Sequence, residues 1–182
     1  MSMPRVTTAM ADPPWKEDGG GGRGAQNHYP TLSTPEILRV MRSCEEYRAF
    51  AAEPRAHLYM WTTSNFRGEA HWLLDALGWR YITDFVWLKT RPATGQYRFS
   101  RHEHLLLADR SSGAPMLPAK AYPSSVIEAP QEEHSKKPAV FYELVEQISP
   151  GPYLEIFARN LRPGWTSWGN DPRVVEQHLV RG

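Results

Sequence analysis

Asp12-Pro13-Pro14-Trp15 joins a carboxylate, two rigid backbone units and a large aromatic ring. The run before it, Arg5 to Ala11, is short and β-prone through Val6, Thr7 and Thr8. Two prolines remove two backbone donors and fix φ, so the strand must stop at Asp12. In open α/β sheets, ligands bind outside the carboxyl ends of strands, where this group stands. The same letters also make a good turn, and Trp15 could simply cover a core edge. One chemistry needs the group as a whole. An exocyclic adenine amine is a poor nucleophile, because its lone pair is delocalised into the ring. To attack a methyl carbon it must pyramidalise. Two acceptors aimed at its two N–H bonds favour that geometry and the positive charge that develops. Asp12 offers one acceptor, and the Pro13 carbonyl, stiffened by Pro14, offers the second. Trp15 offers a flat face to an extruded base, a stacking worth about 1–3 kcal/mol.

The elements that must hold this group follow from periodicity. Ser33-Thr34-Pro35-Glu36 is a helix start with capping-box spacing and proline in the first turn. Ile37, Val40, Met41 and Cys44 continue it at helical spacing. His57 to Thr63 reads as a buried strand. A helix over Gly68 to Leu77 follows, capped by Gly78. Arg80 to Leu88 and Glu103 to Ala108 read as strands, with a polar, basic loop from Lys89 to Arg101 between them. Ser111 to Ser125 is Pro/Ser-rich connection. Pro138 opens a helix with Phe141, Leu144, Val145 and Ile148 on its apolar stripe, stopped by Pro150 and Gly151. Tyr153 to Phe157 is a strand, and Asp171-Pro172 starts a terminal helix. Strands alternating with helices predict an α/β fold with a mostly parallel sheet flanked by helices.

Composition excludes several classes. The 182 residues are 41% hydrophobic and 23% charged, an ordinary soluble balance that suits one domain over 1–182. No apolar run approaches a bilayer span, and Met1 to Ala11 is not a signal peptide. The lone cysteine, Cys44, forms no internal disulfide, and a reducing cytoplasm is the natural setting. Twenty-one basic against twenty acidic residues leave +1, so a polyanion must be bound by a local patch rather than by bulk charge. Lys89, Arg91, Arg98 and Arg101, interleaved with Tyr97 and Phe99, form such a patch, and Arg23 adds to it. Such a loop also reads as a plain solvated surface. Gly19, Gly21 and Gly24 fit a dinucleotide fingerprint literally but lack the strand–turn–helix context. The segment Lys16 to Pro30 reads better as a lid. His102-Glu103-His104 puts two histidines on one strand face without a third ligand; an exposed strand edge explains it, and no metal is expected.

The motifs together resemble the MT-A70-like branch of N6-adenine methyltransferases. Asp12-Pro13-Pro14-Trp15 is similar to the family's catalytic (D/N/S)-P-P-(Y/F/W) tetrad, and Asn27-His28-Tyr29-Pro30-Thr31-Leu32 to the loop after it. His134-Ser135-Lys136-Lys137-Pro138 resembles H-S-(R/K)-K-P. Pro150 to Arg159 resembles the cofactor strand, and Gly164 to Asp171 the closing G-W-x-x-W-G-N-(E/D/Q). They follow the family's order over nearly the whole chain.

The resemblance implies a Rossmann-like class I methyltransferase fold in permuted order, with the catalytic motif before the cofactor strand, using S-adenosyl-L-methionine. It implies that Lys137 pairs with the methionine carboxylate. Arg159 and Asn160 reach the ribose, Glu155 stands in the cofactor strand with Lys137 as its partner, and Asn170 and Asp171 bond the ribose or adenine. Tyr29 lines the acceptor-base pocket. Taken by themselves, Lys137 reads as a solvated helix-start charge, Arg159 and Asn160 as a surface turn, and Asn170 and Asp171 as capping before Pro172. The implied reaction is methyl transfer to adenine N6 in DNA, ahead of RNA. A silent partner subunit, or another amine as acceptor, is the alternative. A homodimer or a related second subunit is the expected partner. The upstream segment that covers the cofactor adenine in many relatives is not expected here, so later loops or a partner must close that face.

Overall fold

The computed structural model describes residues 5–16, 31–93, 99–110, 116, 118, 122–132 and 136–169. Seven strands share one sheet in the order β5-β3-β4-β2-β1-β6-β7. In chain order these are β1 (Thr8–Ala11), β2 (His57–Thr62), β3 (Arg80–Ala93), β4 (Ser100–Asp109), β5 (Val126–Ala129), β6 (Tyr153–Ile156) and β7 (Trp165–Trp168). The helices are α1 (Thr34–Ser43), α2 (Glu45–Ala51), α3 (Arg67–Ala76) and α4 (Ala139–Ile148). β1 runs parallel to β2 on one side and to β6 on the other, and β6 runs parallel to β7. β4 is antiparallel to both β2 and β3, and β5 is parallel to β3.

Strand side chains alternate between two cores, as a pleat demands. Ala9, Ala11, Leu58, Met60, Leu106, Ala108, Leu154 and Ile156 face the layer of α1, α2 and α3. Met10, Tyr59, Trp61, Leu105 and Leu107 face α4 through Phe141, Leu144, Val145 and Ile148. Every residue of β1 and β2 is buried, as strands covered on both faces must be.

The helix boundaries have local causes. The Glu36 carboxylate accepts the Ser33 backbone N–H at 2.8 Å and the Ser33 hydroxyl at 2.6 Å at the start of α1. α3 ends in a Schellman turn: Gly78 has φ 79°, its N–H bonds the Asp75 carbonyl at 3.0 Å, and the Trp79 N–H bonds Leu74 at 2.9 Å.

The sequence expectations need four corrections. The stretch Lys89 to Arg101 is not simply a loop, because β3 continues to Ala93 and β4 begins at Ser100 as one hairpin. β4 lies between β3 and β2 and is no exposed edge. The chain also forms α2, with the Cys44 sulfur accepting the Tyr47 N–H at its start. The strands β5 and β7 were not anticipated as elements; they are only four residues each and close the two edges of the sheet. The helix expected after Asp171 lies outside the described residues.

Candidate active site

From β1 the chain passes to β2 on one side, and after β5 it returns through α4 to β6 on the other side of β1. The carboxyl ends of β1 and β6 therefore open a crevice at a topological switch point. Asp12 follows β1, and its backbone N–H bonds the Ile156 carbonyl at 3.2 Å. Phe157 ends β6 at φ 64°, in the left-handed region that a bulky residue adopts only under constraint. Its ring is buried and meets Trp168 edge-on, with centroids 5.9 Å apart. That turn carries Arg159 and Asn160 into the same crevice as Asp12, a cavity of about 320 Å³ that Lys137, Glu155 and Tyr142 also line.

The tetrad loop is fixed from both sides. The Pro13 carbonyl accepts the Trp15 N–H at 2.9 Å, and the Pro14 carbonyl accepts the Leu32 N–H at 2.8 Å. A carbonyl oxygen has two lone pairs, so Pro13 retains one for a second donor. Trp15 departs from expectation. It is 8% exposed, its ring stacks on Phe66 at 5.6 Å, and its indole N–H bonds the Trp61 carbonyl at 3.2 Å. One face of the ring is therefore spent on Phe66, and Trp15 serves the core at the base of the site.

Asp12 lies within a chain of alternating charges. Lys137 stands just before the α4 amino end, where the helix dipole disfavours a cation, so it needs carboxylates. It finds Asp12 at 3.2 Å and Glu103 at 3.0 Å, with its ammonium 5.2 Å above the Trp61 ring. Glu103 also holds Lys89 at 2.6 Å, and Arg159 faces Asp12 at 3.7 Å. Burial pushes the Glu103 carboxyl up, but Lys137 and then Lys89 outweigh it and hold the group at about 2. Burial works against the Lys137 ammonium as well. Asp12 and Glu103 override it and keep its affinity for the proton above the usual lysine range.

Glu155 does not take Lys137 as its partner. It lies on the α4 face of β6 and accepts the Tyr142 hydroxyl at 2.7 Å. Burial drives its carboxyl up; the Tyr142 bond opposes this, the Asp12 charge adds to it, and the group sits at about 7. A carboxyl raised in the native state binds its proton more tightly than the unfolded chain does. Stability therefore falls as pH rises from about 4.5 to about 7 and is level above. Glu155→Gln removes this slope. Urea denaturation at about pH 8 should show it more stable than wild type by about 3 kcal/mol, with little difference near pH 5.

The basic patch is only partly a surface. Lys89 is turned inward onto Glu103, with its ammonium 5.0 Å from the Trp87 ring. Arg91 and Arg101 are exposed on the β3–β4 hairpin, where Arg101 bonds the Lys89 carbonyl at 3.3 Å. His102 and His104 do share a face, with rings 5.1 Å apart. His104 is held by Asp84 at 2.8 Å, and His102 bonds Ser64 at 2.9 Å. Among the described residues no group of three could hold a metal ion. Tyr29, Arg98, Asn170 and Asp171, the glycine run and most of the expected lid lie outside the described residues. Sequence reasoning missed Glu103 and Tyr142 as site residues. The signal for Glu103 was its place on a strand that runs on through Leu105, Leu106 and Leu107 to Ala108.

Gly169 follows β7 and packs against the Ala158 backbone. A Cβ there would lie 2.3 Å from the Ala158 carbonyl oxygen, against backbone that cannot yield. Gly169→Ala should cost about 1–3 kcal/mol in chemical denaturation, by prising the β7 end off the turn that carries Arg159.

An open, mostly parallel sheet flanked by helices, with its charged crevice at the switch point beside a D-P-P-W turn, is a Rossmann-like methyltransferase architecture. Residues 7–171 match the MT-A70 family, and the chain belongs to it. It is similar to human N(6)-adenine-specific methyltransferase METTL4, 28% identical over 175 residues, covering 89% of this chain and 36% of that protein. Human N(6)-adenosine-methyltransferase catalytic subunit METTL3 is 26% identical, covering 97% and 31%. Type II methyltransferase M.MunI from Mycoplasma sp is 27% identical, covering 87% and 74%. The chain thus spans about a third of the two human relatives. No described helix is long and apolar enough to cross a membrane.

Proposed function

We propose that this chain is one domain that transfers a methyl group from S-adenosyl-L-methionine to adenine N6 in nucleic acid. The observation that carries the reading is the Asp12 carboxylate at the switch point, flanked by Lys137 and Arg159. The donor set fits the cofactor. A methionine end carries an ammonium and a carboxylate; Asp12 and Glu155 suit the first, Lys137 and Arg159 the second, and Asn160 can serve a ribose hydroxyl. Asn170 and Asp171 are proposed to bond the ribose or adenine, and Tyr29 to line the base pocket. When bound, the cofactor supplies an electrophilic methyl on a sulfonium.

The rest is done by the chain's own groups. Asp12 accepts one N–H of the flipped adenine amine, and the free lone pair of the Pro13 carbonyl accepts the other. Both favour a pyramidal nitrogen and stabilise its developing charge, and Pro14 keeps the carbonyl in place. The surplus amine proton leaves to water after the transfer. The contribution is positioning and electrostatics rather than covalent catalysis. Arg91 and Arg101, with Arg98, are proposed to hold the polymer backbone.

We place DNA ahead of RNA. The type II methyltransferase supports DNA and is covered over 74% of its length, whereas METTL3 is named for adenosine. The name "catalytic subunit" supports a second subunit as partner, whether a homodimer or a related chain. The test incubates purified protein and labelled cofactor with unmethylated DNA and, separately, RNA, followed by nucleoside mass spectrometry. N6-methyladenine in DNA is the expected product. Label in RNA alone reverses the polymer. No label in either, although the cofactor binds, overturns the stand-alone enzyme in favour of a silent subunit or another acceptor.

A further inference from the structure

Three arginines converge on a groove at the opposite end of the strands from Asp12. β4 runs against β2, so Asp109 pairs with His57 at the start of β2, and Arg110 lies beyond the amino ends of β1 and β2. Arg110 lies seven residue steps beyond Glu103, about 24 Å at roughly 3.4 Å each. The groove, about 370 Å³, is lined by Arg42, Arg48, Arg110 and Tyr47, and among the described residues no acidic one lines it.

The donors in this groove exceed the acceptors the fold provides. Arg42 gives one nitrogen to the Ala76 carbonyl at 2.7 Å, which leaves most of its five N–H groups. Arg48 is exposed on the last turn of α2. The Arg110 guanidinium lies over the Trp79 ring at 5.1 Å and gives one nitrogen to the Leu77 carbonyl at 3.3 Å. Its Nε is buried with no hydrogen-bond partner among the described residues. A buried charged donor without an acceptor is costly, and such exceptions call for a physical reason. Tyr47 accepts the Trp79 indole N–H at 2.8 Å, which leaves its own O–H to donate. The neighbouring acid, Asp109, is held two-pronged by Arg80 at 3.0 and 2.8 Å.

We propose that this groove binds a phosphate group through Arg42, Arg48, Arg110 and the Tyr47 hydroxyl. Planar guanidinium forks match phosphate oxygens, and a phosphate oxygen supplies the acceptor that Arg110 Nε lacks. Inorganic phosphate and the nucleic-acid backbone share that chemistry. The site is independent of methyl transfer and stands or falls apart from it.

The test titrates the intact chain with sodium phosphate against sodium chloride at matched ionic strength. Thermal denaturation and the arginine Nε–H resonances are followed. Phosphate should raise Tm saturably and shift the Arg110 resonance, where chloride does neither. Arg110→Gln should abolish the response. Arg48→Gln, at an exposed position that folding tolerates, should weaken phosphate binding about tenfold, roughly one charge-assisted bond. A short oligodeoxynucleotide that displaces phosphate from Arg110 identifies the backbone as the source. An oligodeoxynucleotide that leaves phosphate bound identifies the free anion. Equal effects of phosphate and chloride overturn the site. So does a phosphate response that survives Arg48→Gln and leaves the Arg110 resonance in place.

Discussion

Asp12→Ala should lower methyl transfer to adenine by roughly 10²–10³-fold while the chain stays folded, the loss typical when one preorganised electrostatic contact to a developing charge is removed. The fold survives because Asp12 enters the sheet through its backbone, by the N–H bond to Ile156, which alanine keeps. Lys137 also keeps Glu103 at 3.0 Å, so the substitution strands no buried ammonium. Asp12→Asn separates shape from charge. It preserves an acceptor oxygen for the amine N–H but removes the negative charge, and should fall between alanine and wild type. Initial rates with labelled cofactor, beside thermal melts of each variant, make the comparison. Unchanged rates in a folded Asp12→Ala would remove Asp12 from the reaction and leave the tetrad as a turn.

What could be read from the sequence divides by range. The placement of Asp12 at a strand end was legible because its cause is local: a strand, two prolines and an aromatic ring in consecutive positions. The starts of α1 and α4 and the end of α3 were legible for the same reason, being set by Ser33 with Glu36, by Pro138 and by Gly78. The extension of β3 was not. Lys89 and Arg91 carry no apolar alternation, and the extension needs none where Lys89 pairs with Ala129 of β5 and the Gln131 side chain bonds both the N–H and the carbonyl of Arg91. Lys89 reads as part of a surface patch because its ion pair to Glu103 crosses from β3 to β4, 14 positions along the chain. Glu103 was obscured by its two histidine neighbours. Its role exists only once β4 sits beside β2 and brings it to the lysine that precedes α4. The seat of Trp15 is not legible locally, because the Phe66 that takes its face lies 51 residues away.

These long-range contacts explain why the crevice is stable although it gathers so many charges. Lys89, Glu103, Lys137, Asp12 and Arg159 alternate in sign, so no like charges are adjacent along the row. Glu155, the third carboxyl near Asp12, avoids a clash by holding its proton to about 7 and by bonding Tyr142. A cationic ligand group beside Glu155 would favour the ionised form, so cofactor binding near neutral pH is expected to release a proton.

Lys137→Met tests that row at its centre. Methionine keeps an unbranched apolar stem over Trp61 but deletes the ammonium that faces Asp12 and Glu103. Breaking a buried pair by removing one partner costs about 3–5 kcal/mol, because a buried charge is left behind. Here Lys89 still holds Glu103 and Arg159 still faces Asp12, so the lower figure, about 3 kcal/mol, is expected. The pH dependence distinguishes this cause from lost packing. In wild type the Glu103 carboxyl sits at about 2, below its unfolded range near 4.5. A depressed carboxyl contributes stability that is present above about pH 4.5 and lost as pH falls toward 2. Without Lys137 much of that depression disappears. The gap between variant and wild type should therefore be widest above about pH 5 and narrow below it. Glu103→Gln combined with Lys137→Met should recover part of the loss, because the stranded carboxylate is gone. Guanidinium denaturation of the four proteins from about pH 3 to about pH 8 gives the coupling directly. A gap independent of pH, or strictly additive losses, would mean that Lys137 acts by filling space rather than by balancing Asp12 and Glu103.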